Sequence, residues 1–78
     1  MDYIEYKDFT IYQNREQIYF EHIEYGEDDA CCVYLDGSGN IYDYDMCYGI
    51  PDQVGEWLQL NDYNVARDTD GLWDLEDV

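Results

Sequence analysis

The sequence predicts an α+β domain: an antiparallel β-meander of about four strands with one helix packed on one face. Three patterns carry that expectation. Residues Cys31 to Tyr48 (CCVYLDGSGNIYDYDMCY) place two alternating runs around a glycine-rich tetrapeptide, the local signature of a β-hairpin. Residues Phe9 to Gln13 and Gln17 to Tyr25 repeat that design around Asn14-Arg15. After Pro51-Asp52 the apolar spacing changes, and Val54, Trp57 and Leu58 fall at i, i+3 and i+4, a helical stripe.

Taken in order, Met1 to Tyr6 alternates weakly, with Tyr3 and Glu5 against Ile4 and Tyr6, and reads as a short edge strand or a lead-in to the next one. In the hairpin that follows, a two-residue loop pairs Ile11 with Ile18, and a four-residue loop pairs Ile11 with Phe20 and Phe9 with His22. Both registers keep Phe9, Ile11, Ile18 and Phe20 on one face and turn Tyr12, Tyr19 and Glu21 outward. His22 falls on the apolar side near the strand's end, where packing or hydrogen bonding is its expected role. Gly26-Glu27-Asp28-Asp29 reads as a solvated turn, placed where consecutive acids reach a basic partner.

In the next hairpin, taking Asp36-Gly37-Ser38-Gly39 as the loop sets Leu35 opposite Asn40, Val33 opposite Tyr42 and Cys31 opposite Tyr44. One face then carries Cys31, Val33, Leu35, Tyr42, Tyr44 and Met46. The other carries Asp43 and Asp45 among Cys32, Tyr34 and Ile41. Only an even loop keeps this segregation; a three-residue loop would put Asp43 opposite Val33 in the core. Cys32 and Ile41 on the acidic face imply either a mixed interface or cover from the C-terminal segment.

The helix is expected from Pro51 to Leu60 or Asn61, because proline suits a first helical turn and Asp52 suits its positive end. Trp57 is its expected core anchor, and Gly55 weakens it by about 1 kcal/mol relative to alanine. The tail, Tyr63 to Arg67 and Leu72 to Leu75 around Asp68-Thr69-Asp70-Gly71, has the pattern of an extra C-terminal hairpin. Trp73 and Leu75 share one of its faces, Leu72 and Asp74 the other, and the last acids end in a frayed terminus.

Residues 1–78 are expected to form one acidic domain, with enough apolar residues for a core (46%, including ten tyrosines). Twenty acids stand against Lys7, Arg15 and Arg67, a net charge of −17. A compact chain of this length is about 30 Å across, or about one charge per 1.8 Å against about 1.7 Å of axis for duplex DNA. Such a load destabilises by self-repulsion, and solubility alone calls for a magnitude of only about 2–8. Nucleic acid and anionic membrane surfaces are repelled as partners. A basic protein surface or cations remain, with a halophilic source as the bland alternative.

The acidic N-terminus lacks a signal-peptide pattern and no run reaches transmembrane length, so a cytoplasmic protein with reduced thiols is expected. Cys31 and Cys47 read as small buried hydrophobes, and one histidine with three scattered cysteines lacks zinc-site spacing. Asp36, Ser38 and Asn40 fit the first, third and fifth positions of an EF-hand loop, but Ile41 stands at its glycine and Cys47 at its glutamate. Asp68 to Glu76 is equally incomplete, and both stretches serve as turns. No nucleophile elbow, phosphate loop or metalloprotease motif is present. Neither catalysis nor a cofactor or metal is therefore expected.

An acidic strand surface is suited to binding. Asp43 and Asp45 lie about 6.6 Å apart on one strand face, close to the spacing of successive backbone phosphates. Tyr34, Tyr12 and Tyr19 offer rings for guanidinium stacking. In length, charge and a sheet with one helix, the chain resembles the small acidic inhibitors that phages and mobile elements make: DNA-mimic proteins, including many anti-CRISPR proteins. The resemblance is one of class. It implies a stoichiometric inhibitor that occupies the nucleic-acid channel of a basic protein such as a Cas effector. The alternatives are an immunity protein or antitoxin that caps a basic nuclease, and a non-catalytic structural module, which would self-associate.

Overall fold

The computed structural model describes residues 3–46 and 49–76. Among them, strands β1 (Tyr3–Tyr6), β2 (Phe9–Gln13), β3 (Gln17–His22), β4 (Gly26–Leu35) and β5 (Ile41–Asp45) precede helix α1 (Asp52–Leu60) and strands β6 (Val65–Arg67) and β7 (Trp73–Leu75). Strands β1 to β5 form one antiparallel meander in chain order, and β6 pairs with β7 as a separate hairpin. The fold is α+β as expected, with five meander strands rather than about four. The added strand is β1, whose Tyr6 pairs with Phe9 across a Lys7-Asp8 turn. Cys47, expected to be buried, lies outside the described residues, as do Met1, Asp2, Tyr48, Asp77 and Val78.

Local polar groups choose between the open registers. Asn14 Oδ1 accepts the amides of Glu16 and Gln17 at 2.8 and 2.9 Å, which closes the four-residue loop. Ile11 therefore faces Phe20, and Phe9 faces His22. His22 Nδ1 accepts the amides of Glu24 and Tyr25 at 3.1 and 3.2 Å, while its ring packs edge-on against Phe9.

That histidine moves the next turn. The chain reverses at Ile23–Tyr25, and Gly26, at φ 57°, opens β4. Glu27, Asp28 and Asp29 thus lie in a strand, not in the expected turn. The ladder is irregular here: Glu21 alone stands against residues 27–30.

The β4–β5 hairpin departs from expectation at its tip. Asp36 N–H donates to Asn40 O at 2.8 Å and Gly39 N–H to Asp36 O at 3.1 Å, with Gly39 at φ 85°. This is a three-residue loop closed by a glycine in the left-handed region, not an even one. Leu35 pairs with Ile41, and a bulge at Tyr42 then restores the faces: Val33 meets Tyr44 and Tyr34 meets Asp43. The price of the odd loop is a local exchange. Ile41, expected outward, is buried at 3% exposure, and Tyr42, expected in the core, is 63% exposed. The side-chain amide of Asn64 stabilises the exchange by pairing with Ile41 N–H and C=O at 2.7 and 2.9 Å.

Asp68-Thr69-Asp70-Gly71 repeats that turn. Asp36 Oδ1 accepts the amides of Ser38 and Asn40, and Asp68 Oδ1 accepts those of Asp70 and Leu72. Gly71 sits at φ 80° where Gly39 sits at 85°. The two calcium-like stretches are thus the same aspartate-nucleated hairpin turn.

The core lies between the inner face of the sheet and a second layer made by α1 and the β6–β7 hairpin. Phe9, Ile11, Ile18, Phe20 and Val33 are buried as expected. Trp57 meets Phe20 edge-on at 5.7 Å and stacks on Tyr63 at 6.3 Å. Trp73 is brought against α1 by the hairpin and by a bridge to Ile50, so the C-terminal segment covers the inner face and leaves the outer one open. The β1–β2 turn is tied to the helix: Gln53 exchanges two hydrogen bonds with Asp8, and Lys7 and Tyr6 both donate to Glu56.

Candidate functional site

The outer face of the meander carries what the core does not use. Register places Tyr3, Tyr12, Tyr19, Cys32 and Asp45 on one continuous row across all five strands. Glu5, Thr10 and Glu21 form the row on one side; Gln17, Tyr34 and Asp43 form the row on the other. Every acid has a neutral cross-strand neighbour in its row, which limits direct like-charge pairing in a chain of net charge −17.

Aromatic rings run along the central row. Tyr3 and Tyr12 have centroids 5.9 Å apart and Tyr12 and Tyr19 6.1 Å apart, each pair tilted by 43°. Tyr34 meets Tyr42 at 6.4 Å, because the bulge turns Tyr42 outward. In the central row, between Tyr19 and Asp45, Cys32 is buried at 8% exposure. Burial pushes its thiol up and Asp45 adds to that, against a hydrogen bond with Tyr34.

The field of the acids is felt at the phenols. Tyr19 is pushed above its ordinary value, by burial first and then by Glu21 and Glu27. Tyr34 is pushed up by Cys32 first, then by burial, with Asp45 and Asp43 adding. The structure therefore brings together Asp43, Asp45, Tyr34, Tyr12, Tyr19 and Glu21, with Glu27 at their margin. It sets Asp28 and Asp29 apart: they line a recess of about 200 Å³ with Met46 and Pro51, near the start of the helix.

Sequence reasoning left out Tyr3, Glu5 and Tyr42. The alternation of Tyr3 and Glu5 was the available signal once β1 pairs; nothing local announced the bulge that turns Tyr42 outward.

The cations lie elsewhere. Lys7 pairs with Glu56 at 2.5 Å, and Arg67 lies 3.6 Å from Asp52 and 4.7 Å over the ring of Trp73. Both belong to the helix side, and the third cation, Arg15, is exposed in the β2–β3 turn at the edge of the sheet. Among the described residues, no lysine or arginine stands on the three outer rows, and no group of three or more His, Cys, Asp or Glu is placed to hold a metal ion. No helix among them is long and apolar enough to cross a membrane.

On the core side, burial pushes the Cys31 thiol up to about 12, with Cys32 and Asp29 adding. At pH 8 the folded protein should therefore react at Cys31 about a thousandfold more slowly with iodoacetamide than the unfolded chain. Mass spectrometry of timed samples checks this, and labelling at the unfolded rate would contradict the packing.

The face presents carboxylates that can meet cations, rings that can meet planar groups, and phenols as donors and acceptors. The chain matches no family model, no curated protein and no solved structure.

Proposed function

We propose that this protein is a stoichiometric inhibitor that covers the basic nucleic-acid-binding surface of a target protein. Its action would be that of a DNA mimic, of the anti-CRISPR type directed at a Cas effector complex. One observation carries the reading: an open five-stranded face that joins acids to tyrosines and holds no basic side chain among the described residues. The 17 net charges over a longest extent of 31 Å amount to about one per 1.8 Å, close to the roughly 1.7 Å of duplex DNA. Acids supply fast, salt-sensitive capture of a basic surface, and buried aromatic contacts supply residence time. The work is done by occupancy, so no catalytic group is required.

The test is capture of partners from the host cytosol on immobilised protein, followed by a salt gradient and mass spectrometry. A nucleic-acid-binding protein that elutes as salt rises supports the reading. Recovery of partners without a basic nucleic-acid surface, or retention indifferent to salt, contradicts it.

A further inference from the structure

We propose that the outer face reads arginine in preference to lysine, with Tyr3, Tyr12 and Tyr19 acting as a stacking ladder between carboxylates. The inference rests on the interface assigned above and adds the chemistry of the side chains that fill it. A guanidinium is planar, weakly hydrated and edged with donors, so it can lie on a ring while its rim reaches an acceptor; an ammonium is a compact, strongly hydrated point charge. The face is built for the first geometry. Its rings succeed one another at 5.9 and 6.1 Å. Glu5 and Glu21 lie two residues from Tyr3 and Tyr19 on the same strand faces, about 6.6 Å along the strand. Asp45 closes the row at the far end. On the opposite flank a shallow recess of about 290 Å³ opens between Tyr12, Tyr19 and Gln17, with room for an alkyl stem.

Within the chain a lysine and an arginine each lie over a ring: Lys7 stands 5.4 Å from the Tyr6 centroid and meets the single acceptor Glu56, whereas the arginine comes closer and reaches two acceptors. Arg67 lies over the ring of Trp73 at 4.7 Å while its Nη1 donates to Gly71 O at 2.7 Å and sits 3.6 Å from Asp52. Stack and rim contact are satisfied together there, and the outer face offers both to an incoming side chain. Charge selects the occupant: a second copy brings another −17 and a nucleic acid brings phosphates, so both are repelled. Arginines of a basic protein surface complement the face.

The experiment compares binding of the intact protein to oligoarginine and oligolysine peptides of equal length at one ionic strength. Oligoarginine should bind about fivefold to tenfold tighter. Tyr12→Leu with Tyr19→Leu should abolish the preference while still binding both peptides, and Tyr12→Phe with Tyr19→Phe should keep it. If the leucine pair fails to fold in a melting assay, Tyr3→Leu on the exposed edge strand takes its place and should reduce the preference by about half. Equal affinity for the two peptides overturns the arginine reading and leaves the basic-partner interface standing. A preference that survives loss of the rings also overturns it. Binding of neither peptide overturns the interface itself, and this inference with it.

Discussion

Gly55→Ala should destabilise the domain by about 2–3 kcal/mol, although it puts the best helix former into a helix. In an open helix the same change would stabilise by about 1 kcal/mol. Here a Cβ would stand 2.3 to 2.7 Å from the Trp73 ring atoms Cδ2, Cγ and Cε2. Those are the inner atoms of a buried indole and cannot swing aside. Its Nε1 has no hydrogen-bond partner among the described residues, so packing in the core and the Arg67 stack hold the ring in place. Displacing Trp73 also disturbs β7 and its bridge to Ile50. A domain of this size holds only about 4–12 kcal/mol in total, so the loss should be plain in urea denaturation. Gly37→Ala is the control: its Cβ meets nothing within 4 Å, and the change should stay within about 0.5 kcal/mol. A more stable Gly55→Ala protein would contradict the close approach of Trp73.

Asp43→Lys with Asp45→Lys should weaken binding to a basic partner by about a hundredfold, chiefly by slowing association. Both residues are exposed on the terminal strand of the meander, opposite Tyr34 and Cys32, so the fold should lose no more than about 1 kcal/mol. The pair removes two attractive charges and adds two repulsive ones at the β5 ends of the rows that carry Tyr19 and Tyr34. Asp70→Lys with Asp74→Lys makes the same change of net charge on the C-terminal hairpin, where both residues are exposed. That variant should bind within about threefold of the parent. Surface plasmon resonance on both proteins separates a located interface from bulk charge. Equal losses would mean that total charge, not the outer face, decides affinity.

Much of this arrangement was legible in the residues. Period-two alternation placed Phe9, Ile11, Ile18 and Phe20 inward and Tyr12, Tyr19 and Glu21 outward, because parity survives an error of register. The stripe of Val54, Trp57 and Leu58 located the helix and its anchor. Single-residue geometry was not legible. The bulge that exchanges Ile41 and Tyr42 depends on Asn64, 23 residues away, and no local pattern reports such a partner. The turn at Ile23–Tyr25 depends on a histidine nitrogen accepting two amides, a role the composition of Gly26 to Asp29 obscured. Gly55 read as a defect in a helix and serves as the socket for a tryptophan from another hairpin. For the site, alternation supplied the acids and tyrosines of β2 to β5, while Tyr3 and Glu5 joined them only once β1 paired.

The central claim is that the outer face occupies the place of nucleic acid on a basic protein. The direct measurement is competition: a labelled nucleic-acid ligand of the captured partner is followed by fluorescence anisotropy while this protein is added. The account predicts displacement of the ligand at about one equivalent, and a requirement for about a hundredfold more of the Asp43→Lys, Asp45→Lys variant. A ternary complex in which the nucleic acid stays bound while this protein saturates the partner would contradict it.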